Sequence, residues 1–218
     1  MSLYLTLGQI RSLLPTKRKQ FCCSSSEAGF SLVELVIVVA IFLIVAAIAV
    51  PSASALLNRV KLRGAAQQLA DLYQEARMKA VQDDTYYEVL VSADFTRAYV
   101  DVNGDGTEGN LIFVAPSAMT LSNSGVPAGL DAKLGFANFD QVETSTTFDS
   151  DGNQRSGIAW SSRGFPCQRN SATSPCQTGR GWLQYLQHQE AGGVAYAAVS
   201  VSPSGKVKIW SYEGGAWR

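Results

Sequence analysis

A long apolar segment dominates the first quarter of the chain. Residues 30–50 carry only one charged side chain, Glu34, and Pro51 follows them. As a helix with a rise of about 1.5 Å per residue, this segment would span the roughly 30 Å hydrocarbon core of a bilayer. An ionised carboxylate at that depth costs about 2.5–3.5 kcal/mol on insertion scales. The pattern predicts a transmembrane helix whose single carboxylate needs a partner.

A helical period resumes after Pro51. Apolar side chains recur at three- and four-residue steps, and polar side chains occupy the other face. The apolar positions are Leu62, Ala66, Leu69, Tyr73, Ala76 and Ala80. No strong breaker interrupts residues 65–82, so we expect one helix over about residues 31–82. Its first half would lie in a membrane, and the small residues of its second half would pack on a globular domain.

The period changes to two after residue 86. Residues 87–91 and 97–102 are joined by a short turn and predict a hairpin. Further strands are expected at residues 111–114, 134–139, 146–148, 157–161, 182–187, 195–201 and 207–212. One helix followed by closely spaced strands predicts an α+β fold, in which the long helix packs on an antiparallel β-sheet domain.

The charges are balanced overall but unevenly distributed. The 218 residues include 18 basic and 18 acidic side chains, for a formal net charge of +0. Residues 1–29 contain one acidic residue, Glu27, and four basic ones, Arg11, Lys17, Arg18 and Lys19. By the positive-inside rule these cations place the N-terminus in the cytoplasm and the rest of the chain outside. Without residues 1–29 the chain is net negative, which does not favour binding to nucleic acid.

The start of the apolar segment resembles a known processing signal. Gly29, Phe30 and Glu34, with the apolar run and Pro51, are similar to the prepilin signature of type IV pilins and type II secretion pseudopilins. The resemblance implies that prepilin peptidase cuts after Gly29 and that Phe30 becomes the N-methylated first residue. It implies that Glu34 pairs with the Phe30 amine during filament assembly. Pro51 lies where the family often kinks its helix, because an internal proline removes a backbone hydrogen bond.

The same resemblance divides the chain into three parts. Residues 1–29 would be the leader peptide, residues 30–51 the transmembrane and assembly helix, and residues 52–218 one extracytoplasmic globular domain. The protein would cross the bacterial inner membrane once, with its globular domain in the periplasm. The implied partners are other pilins or pseudopilins of the filament, prepilin peptidase and membrane lipid.

The predicted C-terminal hairpin narrows the resemblance. Residues 197–212, with a turn at 203–205, are similar to the last hairpin of H-type minor pseudopilins and of FimT/FimU-like minor pilins. This implies a minor subunit that acts in assembly at or near the filament tip and in protein secretion. An anchored extracytoplasmic enzyme is the alternative from another class. No catalytic site is predicted, because the only histidine, His188, has no nucleophile motif to serve.

The four cysteines fall into two pairs. Cys22 and Cys23 lie in the predicted leader, on the reducing side of the membrane. Cys167 and Cys176 flank an eight-residue polar loop in the part of the chain expected to be in an oxidising compartment. A disulfide between them is the favoured interpretation, and free thiols are the alternative. A metal site would need more ligands than these two cysteines.

An acidic turn is the one candidate for a cofactor site. Asp101, Asn103 and Asp105, followed by Gly106, fit the first half of a calcium-binding loop. The complete loop needs a bidentate glutamate at its twelfth position, where this chain has Ile112. Clusters of Asp, Asn and Gly also form tight turns without an ion. A simple turn is favoured, and calcium is the alternative.

A pair of lysines in the C-terminal hairpin is the candidate contact for DNA. Some FimT-like pilins bind DNA through a C-terminal G-R-x-R motif, and Gly205, Lys206 and Lys208 have the same spacing with lysine in place of arginine. On a strand Lys206 and Lys208 would point to the same face, where both could meet phosphates. Lysine lacks the guanidinium fork, so solvated hairpin lysines are the favoured interpretation.

Overall fold

The computed structural model describes residues 30–104, 106–148, 154–170, 174–190 and 193–218; the side chains of residues 49–55 and 190 lie outside this description. The chain divides into two compact units, Met1–Ala46 and Ala47–Arg218, and each is described by itself. A single helix supplies residues to both units, and every described strand belongs to the second.

The helix, α1, has the predicted extent. It runs over Leu32–Gln82, for 51 residues, and Pro51 lies within it. At its end Asp84 adopts a left-handed conformation, with a φ of 47°, and the Thr85 N–H donates to the Ala80 carbonyl at 3.1 Å. This bond satisfies a carbonyl that the helix would leave without a partner at its C-terminus. The prediction of one helix over about residues 31–82 is confirmed.

Twelve strands follow α1 in the described part of the chain. They are β1 (Tyr87–Val91), β2 (Arg97–Asp101), β3 (Ile112–Val114), β4 (Met119–Thr120), β5 (Phe139–Gln141), β6 (Thr146–Phe148), β7 (Gln154–Trp160), β8 (Pro166–Cys167), β9 (Gly181–Glu190), β10 (Gly193–Val201), β11 (Val207–Glu213) and β12 (Ala216–Trp217). The predicted hairpin at the start of the domain is β1 with β2, and the predicted C-terminal hairpin is β10 with β11.

The strands form two six-stranded sheets. The first has the order β3-β2-β1-β7-β6, with β8 beside β7, and its pairings are antiparallel. The second has the order β12-β11-β10-β9-β4, with β5 beside β9. Its pairings are antiparallel except that of β5 with β9, which is parallel. The sequence pattern predicts antiparallel strands but not their division into two sheets, because the strand period does not say which strands are neighbours.

The second half of α1 packs on both sheets. Its buried stripe is made largely of small side chains, which let the helix backbone come close to the strands. Ala66, Leu69, Tyr73, Ala76 and Ala80 have no exposed surface. The same core contains Val89, Val100 and Trp160 of the first sheet and Trp182, Ala197 and Val199 of the second. The predicted α+β fold, a long helix on antiparallel sheet, is confirmed.

A second, smaller core lies on the opposite face of the second sheet. Its members alternate along the strands with those of the first core, as the period of a strand requires. They are Leu130, Leu183, Tyr185, Ala198, Trp210 and Trp217, and Val126, Leu134 and Phe139 pack against them. The loop before β5 therefore covers this face of the sheet.

The predicted strand over residues 134–139 is wrong. The chain instead forms a short 3-10 helix at Asp131–Lys133, and only Phe139 enters a strand. Leu130 and Leu134 both reach the second core. Their spacing of four positions suits a helical turn, which the alternating apolar pattern around them concealed.

Candidate functional site

The N-terminal segment places its two predicted functional side chains at the start of α1. Phe30 is 78% exposed and precedes the helix, and Glu34 lies in the first turn. The Leu35 N–H donates to the Ser31 carbonyl at 3.1 Å. A carboxylate in the first turn interacts favourably with the positive end of the helix dipole. Ser31 and Glu34 also have the spacing of a capping box, which is a sequence signal for the start of a helix at this point.

The apolar run is exposed in the part of the chain that the structure describes. Every side chain of residues 30–48 is exposed, among them Leu32 at 78% and Ile48 at 70%. Within the described residues, no helix combines the length and the apolarity that crossing a membrane requires. Gly29 and the side chain of Pro51 lie outside the described residues, as do Cys22 and Cys23 of the predicted leader.

The loop between the two other cysteines is closed at its base. Cys167 and Cys176 form a disulfide, with their Cα atoms 5.4 Å apart. Next to it, Gln168 and Gln177 exchange backbone hydrogen bonds of 3.0 and 2.9 Å. Closing a loop of this length stabilises a fold by about 2–3 kcal/mol in the chain-entropy account. The structure therefore pairs the two cysteines as the sequence predicted.

The disulfide loop supplies a buried cation to the first sheet. Arg169 Nη1 lies 2.6 Å from Glu88 Oε1 on β1, and only 12% and 4% of the two side chains are exposed. The Arg169 guanidinium also lies over the Tyr86 ring, 5.6 Å from its centroid. Burial raises the pKa of Glu88 above its ordinary value, and Arg169 lowers it in part. Sequence reasoning missed this pair, because 81 positions separate the two residues.

The turn between β10 and β11 is held against α1. Gly205 has a φ of 81°, and its carbonyl accepts a hydrogen bond of 2.9 Å from Arg77 Nη1. A Cβ at this position would come within 2.8 Å of the Gly164 carbonyl oxygen, so glycine is required for space as well as for conformation. The hairpin turn is thus a fixed part of the domain.

The two hairpin lysines lie on one face of the second sheet. Lys206 and Lys208 are both exposed, and they share their face with Trp210 of the second core. Lys208 Nζ lies 3.4 Å from the centroid of the Trp210 ring, a cation–π contact. One of the two candidate DNA contacts is therefore stacked on an aromatic ring, and the other projects from the start of the strand.

The acidic turn uses its first carboxylate internally. Asp101 is 1% exposed; its Oδ1 accepts the Gly104 N–H at 2.7 Å, and its Oδ2 accepts the Gly106 N–H at 2.8 Å. Asn103 is exposed, and Asp105 lies outside the described residues. Both oxygens of Asp101 thus hold the turn, which favours the simple-turn interpretation. Over the described residues, no three His, Cys, Asp or Glu side chains gather as metal ligands would.

The single histidine has a structural environment. His188 lies on β9, is 7% exposed, and its Nδ1 is 3.2 Å from the Ala118 carbonyl oxygen. Its backbone partner, Ala118, directly precedes β4, the end strand of the sheet. Burial and this contact are sufficient to explain the position of the imidazole.

The start of the chain matches a known motif. Residues 24–50 match the family of the prokaryotic N-terminal methylation motif. The crystal structure of the type IV minor pilin FimU of Pseudomonas aeruginosa is similar at 13% identity, over 69% of this chain and 89% of that one, with a TM-score of 0.38. No curated protein matches the chain. The N-terminal segment thus carries the prokaryotic N-terminal methylation motif.

The buried ion pair yields a prediction on stability and pH. Arg169→Ala should lower the free energy of unfolding at pH 7 by about 3–5 kcal/mol, because the ionised Glu88 would stay buried without its cation. In the variant the native pKa of Glu88 is raised further. The additional loss in free energy of unfolding is therefore present above that pKa and becomes smaller as the carboxylate is protonated. Denaturant titration of the full chain in detergent should give a smaller difference from wild type at pH 5 than at pH 7.

A matched variant separates charge from packing. Glu88→Gln in the Arg169→Ala background should recover part of the lost stability and remove its pH dependence. An Arg169→Ala effect that is the same at both pH values would show that the ion pair is not its cause.

Proposed function

We propose that the chain is a minor subunit of a bacterial type IV pilin-like filament, either an H-type pseudopilin of a type II secretion system or a minor pilin. It acts in assembly at or near the filament tip, and it contributes contacts and no chemistry of its own. The observation that carries the proposal is the methylation motif at residues 24–50, whose part from Leu32 onward belongs to a helix that continues to Gln82.

The exposed apolar segment supports this proposal. The side chains of residues 30–48 are all exposed, and burial of a large apolar side chain is worth about 1.5–3 kcal/mol. Lipid before assembly, and neighbouring apolar helices after it, would supply that burial. Residues 30–51 then form the single inner-membrane span, with residues 52–218 in the periplasm and the leader, residues 1–29, in the cytoplasm. Membrane lipid, prepilin peptidase and other pilins are the partners.

Glu34 has a defined role in this proposal. Cleavage after Gly29 leaves a cationic amine on Phe30, and Glu34 lies one helical turn from it. In a packed filament the amine of an incoming subunit neutralises the Glu34 of a neighbour. Removing both charges from apolar surroundings favours that docking register over others. The pair therefore selects a register in addition to anchoring the helix.

Maturation gives the first test of the proposal. Mass spectrometry of the protein extracted from membranes should find an N-methylated Phe30 at the N-terminus. Gly29→Ala should block cleavage, because the peptidase of this family cuts after glycine. Finding residues 1–29 still attached to the wild-type protein, in cells with active prepilin peptidase, would contradict the proposal.

Glu34 gives the second test. Glu34→Leu makes the segment more apolar, so membrane insertion should be retained or improved. Incorporation into filaments should fall, because the incoming amine loses its partner. Crosslinking to partner pilins is compared in membranes that hold equal amounts of wild type and variant. Equal yields would show that Glu34 does not guide assembly.

A minor pilin that binds DNA is the second candidate function, and the exposed lysines at the start of the last hairpin strand favour it. Two neighbouring phosphate contacts from Lys206 and Lys208 would make binding depend on salt. The double variant Lys206→Ala/Lys208→Ala should then weaken DNA binding by the purified full chain and reduce the slope of log K against log salt by about 1–2. Lys61→Ala, an exposed lysine on α1, is the control. Equal binding by both variants would exclude this site.

A further inference from the structure

Two grooves lie on opposite flanks of α1 in the second unit. The basic groove, of about 750 Å³, lies between α1 and the strands β10 and β11, and α1 contributes Leu56, Arg59, Val60 and Arg63 to its lining. The acidic groove, of about 290 Å³, lies between α1 and β3; it is lined by Asp71, Leu72, Glu75, Ile112 and Val114. Glu213 and Arg218 also line the basic groove, which is net positive.

The charges of the two grooves have the same spacing. Arg59 and Arg63 are four positions apart on α1, and so are Asp71 and Glu75. Each acidic residue lies twelve positions after the corresponding basic one. All four side chains are exposed. Within the described part of the chain none of them makes an ion pair, although Asp71 Oδ1 accepts a hydrogen bond of 2.9 Å from Gln67.

Exposed apolar side chains accompany both pairs of charges. Leu56 and Val60 are 63% and 62% exposed in the basic groove. Beside the acidic groove Ile112 and Val114 are 38% and 57% exposed. These last two residues belong to β3, the end strand of the first sheet. The Val100 N–H donates to the Leu111 carbonyl, and the Ala115 N–H donates to the Thr96 carbonyl. Because bonded and non-bonded positions alternate along an antiparallel strand, the backbone groups of Ile112 and Val114 face away from β2.

We propose that the basic groove of one copy docks on the acidic groove of a second, parallel copy, displaced along the helix by twelve residues, or about 18 Å. In this register Arg59 faces Asp71 and Arg63 faces Glu75. Val60 then meets the apolar side chains beside Leu72. The parallel orientation rests on the proposed function, because a shared membrane orients both copies alike.

This contact joins two different surfaces, so it does not close on itself. Each copy keeps an acidic groove at one flank and a basic groove at the other, so the contact is heterologous and leaves one groove of each copy open to a further filament subunit. The apolar side chains supply area, and the charges select one register among several. Exposed ion pairs are weak singly, so the two pairs act together as a selector.

Register-specific crosslinking tests the proposal. Two differently tagged full-length copies, both with Cys22→Ser and Cys23→Ser, are expressed in the same membranes. Arg63→Cys in one copy and Glu75→Cys in the other should be joined efficiently by a short bismaleimide. The pair Arg63→Cys with Asp71→Cys is the matched control, because it is displaced by four residues, or about 6 Å. Retention of the Cys167–Cys176 disulfide checks that each variant is folded.

Charge reversal supplies a second arm. Arg59→Glu in the copy with Arg63→Cys should lower the yield of the 63–75 crosslink by about threefold to tenfold, and Asp71→Lys in the other copy should restore it. Lys61→Glu makes the same charge change on an exposed residue of α1 that lines neither groove, and it should have little effect.

Three results would overturn the inference. They are equal yields for the 63–75 and 63–71 pairs, equal effects of Arg59→Glu and Lys61→Glu, and a crosslinked product that contains a different protein in place of the second copy. The N-terminus of the same samples is determined by mass spectrometry. A mature Phe30 terminus without register specificity contradicts this contact alone. Register specificity in a chain that keeps residues 1–29 contradicts the proposed function and leaves the contact standing.

Discussion

The domain depends on the close approach of α1 to two sheets at once. Alanines at positions 66, 76 and 80 carry no bulk beyond Cβ, and they have no exposed surface. Large side chains at these positions would hold the helix away from the strands. The same core contains two large side chains from the strands, Trp160 of the first sheet and Trp182 of the second. Because packing in a protein interior is as dense as in organic crystals, neither sheet can shift without a loss of contacts on the helix.

Two polar interactions fasten distant segments to this arrangement. Arg77, on the buried side of α1, donates to the Gly205 carbonyl and lies over the Trp160 ring, 6.0 Å from its centroid. It thereby joins the helix to the last hairpin. On the first sheet, Arg169 brings the disulfide loop to Glu88. Each contact uses an arginine, whose planar group can bond in one direction and pack on a ring in another.

The two halves of α1 differ in whether their apolar side chains are buried. Along residues 62–80 one stripe is buried and the opposite face is charged. Along residues 30–48 every side chain is exposed, and all but two, Ser31 and Glu34, are apolar. A surface so rich in apolar groups is stable only when lipid or other helices cover it. The second half of α1 therefore packs within its own domain, whereas the first half leaves its apolar side chains exposed.

Local patterns were enough to predict the helix, its bounds, most strands and the disulfide, because each depends on periodicity or on residues close in sequence. The methylation motif is equally local. Tertiary structure alone decided the division into two sheets, the parallel pairing of β5 with β9, and the turn at Asp131–Lys133. It also decided the Glu88–Arg169 pair and the two grooves of opposite charge. These features join residues far apart in the chain, and no periodicity within one segment records which surfaces folding will bring together.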